Sequence, residues 1–345
     1  NKIPPLEPPA VGEGVQFYAG PWLVPPETED EVCFVTLFDF SAEGIVPAHA
    51  KRPCTNREGG PDKECFAFNY NMLAQDPQSH HSIVAIYSGD ADSSHPDWGP
   101  WQCMGGPLNG TNCDPTRFGE DASVGGAECG NRGICSTVPR RSPGCVGYGP
   151  TDLRENRIGL SGSQEPVAYR TYTEGVYSQV PIKGMVVWNS HGFNLTNKET
   201  TIEQWINLRF PAEDEMLYQR RSIFDTEFIF VMEVPPFEKR EYCDTYTVPK
   251  NGRLMRLGSH VHKRGTLFRT WLPPNEPCTP GPDCQPNPEV PIYTSTLYDD
   301  PLDITFDTPL EYNDDDEATR TIKFCAVFDN GADYPELLKR RSQLP

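Results

Sequence analysis

The chain has 345 residues, and 30 Lys and Arg against 49 Asp and Glu give it a formal net charge of −19. A protein this acidic repels phosphate backbones and anionic lipid headgroups, so we expect neither nucleic acid nor a membrane surface as a partner. No apolar stretch approaches the 18 residues of a transmembrane helix, which predicts no membrane span. Hydrophobic residues make up 37% of the chain, enough to build a core.

The 36 prolines and 29 glycines favour short strands and many turns over long helices. Residues 1–15 are expected to form an extended tail, because closely spaced prolines permit neither a helix nor strand pairing. Runs of β-branched and aromatic residues bounded by turn residues predict strands at Glu31–Phe40, Ser82–Tyr87, Gly184–Trp188, Phe228–Val234 and Thr321–Phe328. The only segments with helical character are Asn197–Leu208 and Pro335–Arg341.

This order of elements predicts an all-β protein built from β-sandwiches. The length suits two sandwiches better than one. We therefore expect a first domain over residues 16–205 and a second over residues 206–345, because apolar content falls near this junction between two strand-rich halves.

The twelve cysteines are an even number, and no C-x-x-C motif is present. They predict six disulfides formed in an oxidising compartment, with a pairing that spacing does not reveal. The sequons at Asn109 and Asn194 are compatible with secretion, and the chain begins with Asn rather than Met. We expect a mature exported protein, either extracellular or periplasmic.

Residues 96–150 differ in composition from the rest of the first domain. Strand-like runs are missing, and five cysteines occur among many glycines. We interpret the segment as a disulfide-rich insertion, because it holds too little apolar material to be ordered without cross-links. Its AECGNRGICS stretch resembles the C-x5-C kernel of epidermal-growth-factor-like modules. A structural role is favoured, and binding of a protein partner through the insertion is the alternative.

Five of the seven histidines occur in three short motifs: His80-His81, His191, and His260-Val261-His262. Chance would give only about 0.1 adjacent pair in so His-poor a chain, so metal ligation is the economical explanation. Residues i and i+2 of a strand share a face, which lets His260 and His262 bind one ion. Neutral imidazole suits copper, zinc, iron or nickel.

His80 and His81 would point to opposite faces of a regular strand. Joint ligation therefore requires a β-bulge or a strand end, which the Asp76-Pro77-Gln78 sequence just upstream can supply. A lone histidine such as His191 is more often structural than a ligand. His49 and His95 are expected at the surface. If all twelve cysteines are oxidised, no thiolate is left to bind a metal, which disfavours a tetrahedral structural zinc site.

The order of these motifs resembles the copper type II, ascorbate-dependent monooxygenases, the family of peptidylglycine α-hydroxylating monooxygenase and dopamine β-monooxygenase. The similarity rests on a His-His pair, a later single His in VVWNSHGFNLTN, and SHVHKRGTLFRTW at the start of the second half. The stretches IYTSTLYDDP, DTPLEY and FCAVFDN make the chain more similar to bacterial relatives than to the animal enzymes. The resemblance covers residues 32–330, without the insertion.

The resemblance implies two tandem jelly-roll β-sandwich domains that face one another across a cleft, each with one copper ion. His80, His81 and His191 would hold the electron-transfer copper. His260 and His262 would hold the second copper, where dioxygen binds and a substrate C–H bond is hydroxylated. Ascorbate or another one-electron donor would reduce both ions.

The chain departs from this family in one respect. The second copper of the family takes a methionine thioether from the last part of the second domain, whereas no methionine follows Met255 here. Three explanations remain open: a chain cut short of that strand, a water or oxygen donor as third ligand, or a second site that has lost its monooxygenase role. A missing thioether weakens Cu(I) binding in particular.

The first functional hypothesis is an exported copper monooxygenase that hydroxylates a small organic or peptide-like substrate. The second is a non-catalytic copper-binding or assembly protein on the same scaffold, which the missing methionine favours. A third, a zinc-dependent exported hydrolase, has no H-E-x-x-H motif to support it. The acidic surplus would favour neutral or cationic substrates over anionic ones.

Overall fold

The computed structural model describes residues 2–119, 124–141, 145, 147–221, 223, 232–261, 264–298, 301–312 and 315–333. The chain divides into two compact units, Asn1–Ile223 and Phe224–Pro345. Helical structure in the described ranges is confined to six single 3-10 turns, at Ala48–Ala50, Asn56–Glu58, Pro96–Trp98, Ala127–Cys129, Glu213–Glu215 and Ala318–Arg320. No helix in the described part of the chain is long and apolar enough to cross a membrane.

The described residues of the first unit form fifteen strands: β1 Gly14–Val24, β2 Thr28–Asp39, β3 Lys51–Pro53, β4 Glu64–Phe68, β5 Tyr70–Gln75, β6 Ser79–Tyr87, β7 Trp101–Met104, β8 Ile134–Thr137, β9 Arg140–Arg141, β10 Arg157–Ser163, β11 Val167–Thr171, β12 Val176–Pro181, β13 Lys183–Asn194, β14 Thr200–Arg209 and β15 Tyr218–Gln219. One sheet has the order β1-β14-β5-β11, and a second has the order β10-β6-β13-β2-β8-β7 with β9 paired to β2. A third sheet has the order β15-β12-β4-β3.

The first and second sheets pack their apolar faces together around one core, to which Phe66 of the third sheet also contributes. Phe17 and Ile206 from the first sheet share a buried cluster with Phe34, Ile86 and Trp188 from the second. The residues between them on the second sheet, such as Val35 and Val187, are buried in a separate cluster, so this part of the sheet is covered on both faces. The all-β prediction is confirmed, and the arrangement is that of a β-sandwich. The three predicted strands of this unit lie in β2, β6 and β13.

The helix predicted at Asn197–Leu208 is wrong, because Thr200–Arg209 forms β14. The strand is hydrogen-bonded on both edges, to β1 and to β5. Its sequence holds the β-branched residues Thr200, Thr201, Ile202 and Ile206, which lose side-chain freedom in a helix and pack well on a sheet. The other predicted helix, Pro335–Arg341, lies outside the described residues.

The described residues of the second unit form six strands: β16 Lys239–Thr247, β17 Gly252–Gly258, β18 Gly265–Trp271, β19 Tyr293–Ser295, β20 Asp303–Tyr312 and β21 Thr321–Asp329. They make one sheet of order β16-β21-β18-β19 and a β17-β20 pair. The predicted strand Thr321–Phe328 is β21. Most of the predicted strand Phe228–Val234 lies outside the described residues, and its last three residues have no regular structure.

All twelve cysteines form disulfides, which confirms six bridges: Cys33–Cys145, Cys54–Cys65, Cys103–Cys129, Cys113–Cys135, Cys243–Cys325 and Cys278–Cys284. Two bridges interlace within residues 96–150, and a third ties this segment to β2. The segment also contains the antiparallel pair of β7 and β8, which the sequence analysis did not predict and which joins the second sheet where Ser136 pairs with Thr36.

Candidate metal centre

Three histidines meet on the outward face of the second sheet of the first unit. In the strand register, His191 on β13 lies opposite His81 on β6. On its other side His191 lies opposite Glu31 on β2. Neighbouring residues of a strand alternate between faces, so Ser190 is directed into the sandwich while His191 is directed outward. Residues from three strands, far apart in sequence, therefore form one row across the sheet.

A β-bulge brings His80 to the same face as His81. His191 pairs with His81, but the next residue, Gly192, pairs with Ser79, so His80 is the extra residue with no opposite partner. This register shift provides the irregularity that joint ligation requires. The ring centroids of His80 and His81 lie 5.0 Å and 4.8 Å from the centroid of His191.

The same nitrogen of each ring faces the centre of the cluster. The Nδ1 atom of His191 lies 3.3 Å from Nδ1 of His80 and 3.3 Å from Nδ1 of His81. Two imidazole nitrogens bound to one ion at about 2.0–2.1 Å with a tetrahedral angle lie about 3.3–3.4 Å apart. The spacing of the nitrogens thus matches that of ligands sharing one metal ion, and the three residues fit such an ion.

The outer nitrogen of His191 has a separate partner. Its Nε2 lies 2.8 Å from Oε1 of Glu29, a side chain on β2 that is 65% exposed. A carboxylate can only accept a hydrogen bond, so the proton belongs to Nε2 and the lone pair of neutral His191 belongs to Nδ1. The contact therefore favours the tautomer in which Nδ1 is free to bind a metal.

His81 is held in its neutral form. Burial lowers its pKa to about 4, assisted by the charges that His191 and His80 would carry. The Glu31 carboxylate and the side chain of Asn189 oppose this shift. Only neutral imidazole offers a lone pair to a metal, so His81 is available as a ligand even in mildly acidic solution.

A buried polar layer supports the histidines from inside the sandwich. Gln75 Oε1 accepts hydrogen bonds from the hydroxyls of Ser79, at 2.8 Å, and Ser82, at 2.5 Å. Ser190 Oγ accepts from the indole nitrogen of Trp22, at 3.0 Å, and from the amide of Gln204. Because Ser79 and Ser82 flank the histidine pair and Ser190 precedes His191, these bonds fix both strands that carry the site.

The turn that leads into the histidine pair is anchored by Asp76, whose side chain is fully buried. Its carboxylate accepts hydrogen bonds from the Lys2 ammonium at 2.5 Å, from the Ile3 amide at 3.1 Å and from the Glu203 amide at 2.9 Å. The predicted tail therefore packs on the sandwich, and its Lys2 compensates a buried charge next to the site.

The site is open to solvent. His80 is exposed, whereas His81 and His191 are half-buried. Two apolar side chains border the cluster: Phe193, whose ring centroid lies 5.4 Å from that of His80, and Ile83, which is 40% exposed. Small molecules and proteins in solution could reach a metal bound here.

The second predicted site is described only in part. His260 is exposed and lies in the segment between β17 and β18, after the last residue of the strand. His262 lies outside the described residues, so ligation by this pair stays a prediction. Met255 lies within β17 at a register shift between Leu254 and Arg256.

The cysteines do not offer a competing site. Cys103, Cys113 and Cys129 lie close together, as do Cys243 and Cys325 beside Glu241, but every one of these sulfurs belongs to a disulfide. A disulfide sulfur lacks the thiolate charge that binds metals. Of the two remaining histidines, His49 is exposed and His95 is half-buried, with its Nδ1 accepting the backbone N–H of Asp97 at 3.4 Å.

Sequence patterning did not identify Glu29 and Asn189 as part of the site. The Asn189 amide donates to Glu31 Oε1 at 2.7 Å. The predicted strand began at Glu31, whereas β2 begins at Thr28 and so includes both glutamates. An alternation of Glu29, Glu31 and Cys33 is visible in the sequence, but only the pairing of β2 with β13 shows which residues they meet.

No protein-family model matches this sequence, and no curated protein matches it. The family resemblance therefore rests on the order of the histidine motifs.

Proposed function

We propose that His80, His81 and His191 form a copper site in an exported, copper-dependent monooxygenase-like protein. The observation that carries the proposal is the convergence of three Nδ1 atoms, with His191 Nδ1 3.3 Å from each of the other two. Three imidazole nitrogens suit a copper ion, and all cysteines lie in disulfides, so no thiolate competes for it. Copper bound there would supply one-electron transfer between Cu(I) and Cu(II).

The residues around the cluster support this role in specific ways. The bulge at His80 aligns two adjacent imidazoles, and the serines below hold the strands that carry them. Burial keeps His81 neutral. The exposure of His80 leaves the site accessible to a small reductant such as ascorbate or another one-electron donor.

The catalytic part of the proposal comes from the motif order. By resemblance, the domains would be jelly rolls, and His260 and His262 would hold a second copper that supplies dioxygen activation for hydroxylating a C–H bond of a small organic or peptide-like substrate. One oxygen atom enters the product, and the other is reduced to water with two electrons and two protons. Six disulfides are typical of an oxidising compartment and support export.

A non-catalytic copper-binding or assembly protein is the second candidate. The observation that favours it is the absence of methionine between Met255 and Pro345, because the family's second copper takes a thioether ligand. Under this alternative the first-unit site binds copper and the second unit performs no oxygen chemistry. The interlaced disulfides of residues 96–150 would then provide a rigid surface for a protein partner.

Copper counting and isotope labelling test both candidates. The enzyme hypothesis predicts two copper equivalents per chain, loss of one in His191→Ala, and loss of the other in His260→Ala. It also predicts reductant-dependent hydroxylation that incorporates one atom of labelled dioxygen. His49→Ala, an exposed histidine away from the described cluster, serves as the control. A single equivalent held by the first-unit histidines, without hydroxylation, would support the scaffold instead. Equal product without copper would exclude the enzyme.

A further inference from the structure

Glu29 makes a contact that the metal site itself does not require. Its Oε1 atom lies 2.8 Å from Nε2 of His191, the nitrogen directed away from the cluster. The other nitrogen of the same ring, Nδ1, lies 3.3 Å from Nδ1 of both His80 and His81. The two nitrogens of one imidazole therefore have different partners: a carboxylate outside and two imidazoles inside.

We infer that Glu29 is a positioning residue that fixes the tautomer and the orientation of His191. A neutral imidazole carries one N–H and one lone pair, and a carboxylate can only accept a proton from it. The bond to Glu29 thus keeps hydrogen on Nε2 and directs the Nδ1 lone pair at the other two histidines. Carboxylate acceptors of this kind orient metal-binding imidazoles and increase their basicity.

The strand register explains why Glu29 rather than its neighbour performs this function. Glu31 is directly opposite His191, but its Oε1 accepts the amide of Asn189 at 2.7 Å. Glu29 is two pairs further along, opposite Phe193, and its carboxylate contacts Nε2 at the outer edge of the imidazole ring. Both glutamates are on the same face of β2 and carry the same charge.

This pair of glutamates provides a matched comparison. Glu29→Ala removes the acceptor, Glu29→Gln removes the charge but keeps an oxygen that can accept from Nε2, and Glu31→Gln removes a charge of the same strand face without touching the His191 contact. Glu29 is 65% exposed, so its replacement should leave the fold intact. Unfolding curves of the three variants check this.

The first measurement is the nitrogen chemical shifts of His191 in the metal-free protein, at a mildly alkaline pH where imidazole is neutral. We expect hydrogen on Nε2 in the native chain, in Glu29→Gln and in Glu31→Gln, and a mixture of both tautomers in Glu29→Ala. An unchanged spectrum in Glu29→Ala, or the same change in Glu31→Gln, would overturn the inference. This measurement needs no metal, so its result is independent of the proposed copper site.

The second measurement is the affinity for Cu(II), and it rests on the proposed function. Removing a side chain that accepts a hydrogen bond from a metal-bound imidazole lowers metal affinity about 10-fold or more. We expect that decrease in Glu29→Ala and recovery in Glu29→Gln. If the native chain binds no copper while the tautomer responds to Glu29→Ala, the proposed function fails and the positioning role stands. Native affinity in Glu29→Ala would contradict a role of Glu29 in metal binding.

Discussion

His191 and His81 lie directly opposite one another on neighbouring antiparallel strands, with their Nδ1 atoms 3.3 Å apart. The two residues are 110 positions apart in the chain. Their pairing puts two imidazoles on one sheet face, and the bulge next to His81 adds a third. The site is thus a product of strand register, and its properties depend on the elements that maintain that register.

Replacing His80, the extra residue of the β-bulge, should affect metal binding but not folding. His80 is exposed and has no opposite residue in the ladder. We expect His80→Ala to change the free energy of unfolding of the metal-free protein by no more than about 0.5 kcal/mol, as is usual for surface substitutions. Copper should stabilise the native chain by about 2.7 kcal/mol at a concentration 100 times the dissociation constant. In His80→Ala, thermal unfolding at that concentration should show a much smaller stabilisation. Full copper stabilisation of this variant would show that His80 is not a ligand.

Lys2 stabilises the buried negative charge of Asp76. The Asp76 side chain is fully buried, and the Lys2 ammonium is its only ion-pair partner among the described residues. We expect Lys2→Met to destabilise the protein by about 1–3 kcal/mol, because two backbone amides alone compensate the remaining carboxylate poorly. Urea unfolding of Lys2→Met beside Lys198→Met, an exposed lysine, measures this difference. Equal stability of the two variants would mean that the tail contact is unimportant.

Ser190 satisfies two buried donors from β1 and β14. Ser190→Ala would leave the indole N–H of Trp22 and the amide of Gln204 without their acceptor. We expect a loss of about 1–3 kcal/mol in urea unfolding, because buried donors without partners retain their full desolvation cost. The exposed Ser41→Ala is the matched control and should be close to neutral. A neutral Ser190→Ala would imply that water replaces the hydroxyl.

Asp329 makes the second unit sensitive to acid. Burial opposes ionisation, but the N–H groups of Gly331 and Ala332, each 2.7 Å from Oδ1, outweigh it and lower the pKa of the carboxyl. A lowered folded-state pKa adds stability above the unfolded value of about 3.8, and that stability is lost as pH falls through the folded value. Stability of the native chain should therefore fall below about pH 4, and Asp329→Asn should reduce this dependence. If stability falls equally steeply with pH in the native chain and in Asp329→Asn, Asp329 is not the group that causes the acid sensitivity.

Local sequence patterns predicted much of this structure because they report burial and chemistry directly. Phe34 and Trp188 lie in apolar runs that can only be buried strands, and twelve cysteines without a metal motif indicate disulfides. The segment at 197–208 was predicted wrongly because its periodicity is ambiguous when both faces and both edges of β14 are covered. Neither the cysteine pairing nor the role of Glu29 could be predicted, since both depend on which distant strands are neighbours.

The most direct test of the central claim is the anomalous diffraction of crystals grown with copper, recorded on both sides of the copper absorption edge. The proposed function predicts a copper peak on the outward face of the second sheet, within bonding distance of the Nδ1 atoms of His80, His81 and His191. The peak should be missing in crystals of His191→Ala. A peak at other residues, or none at this cluster in the native chain, would contradict the assignment.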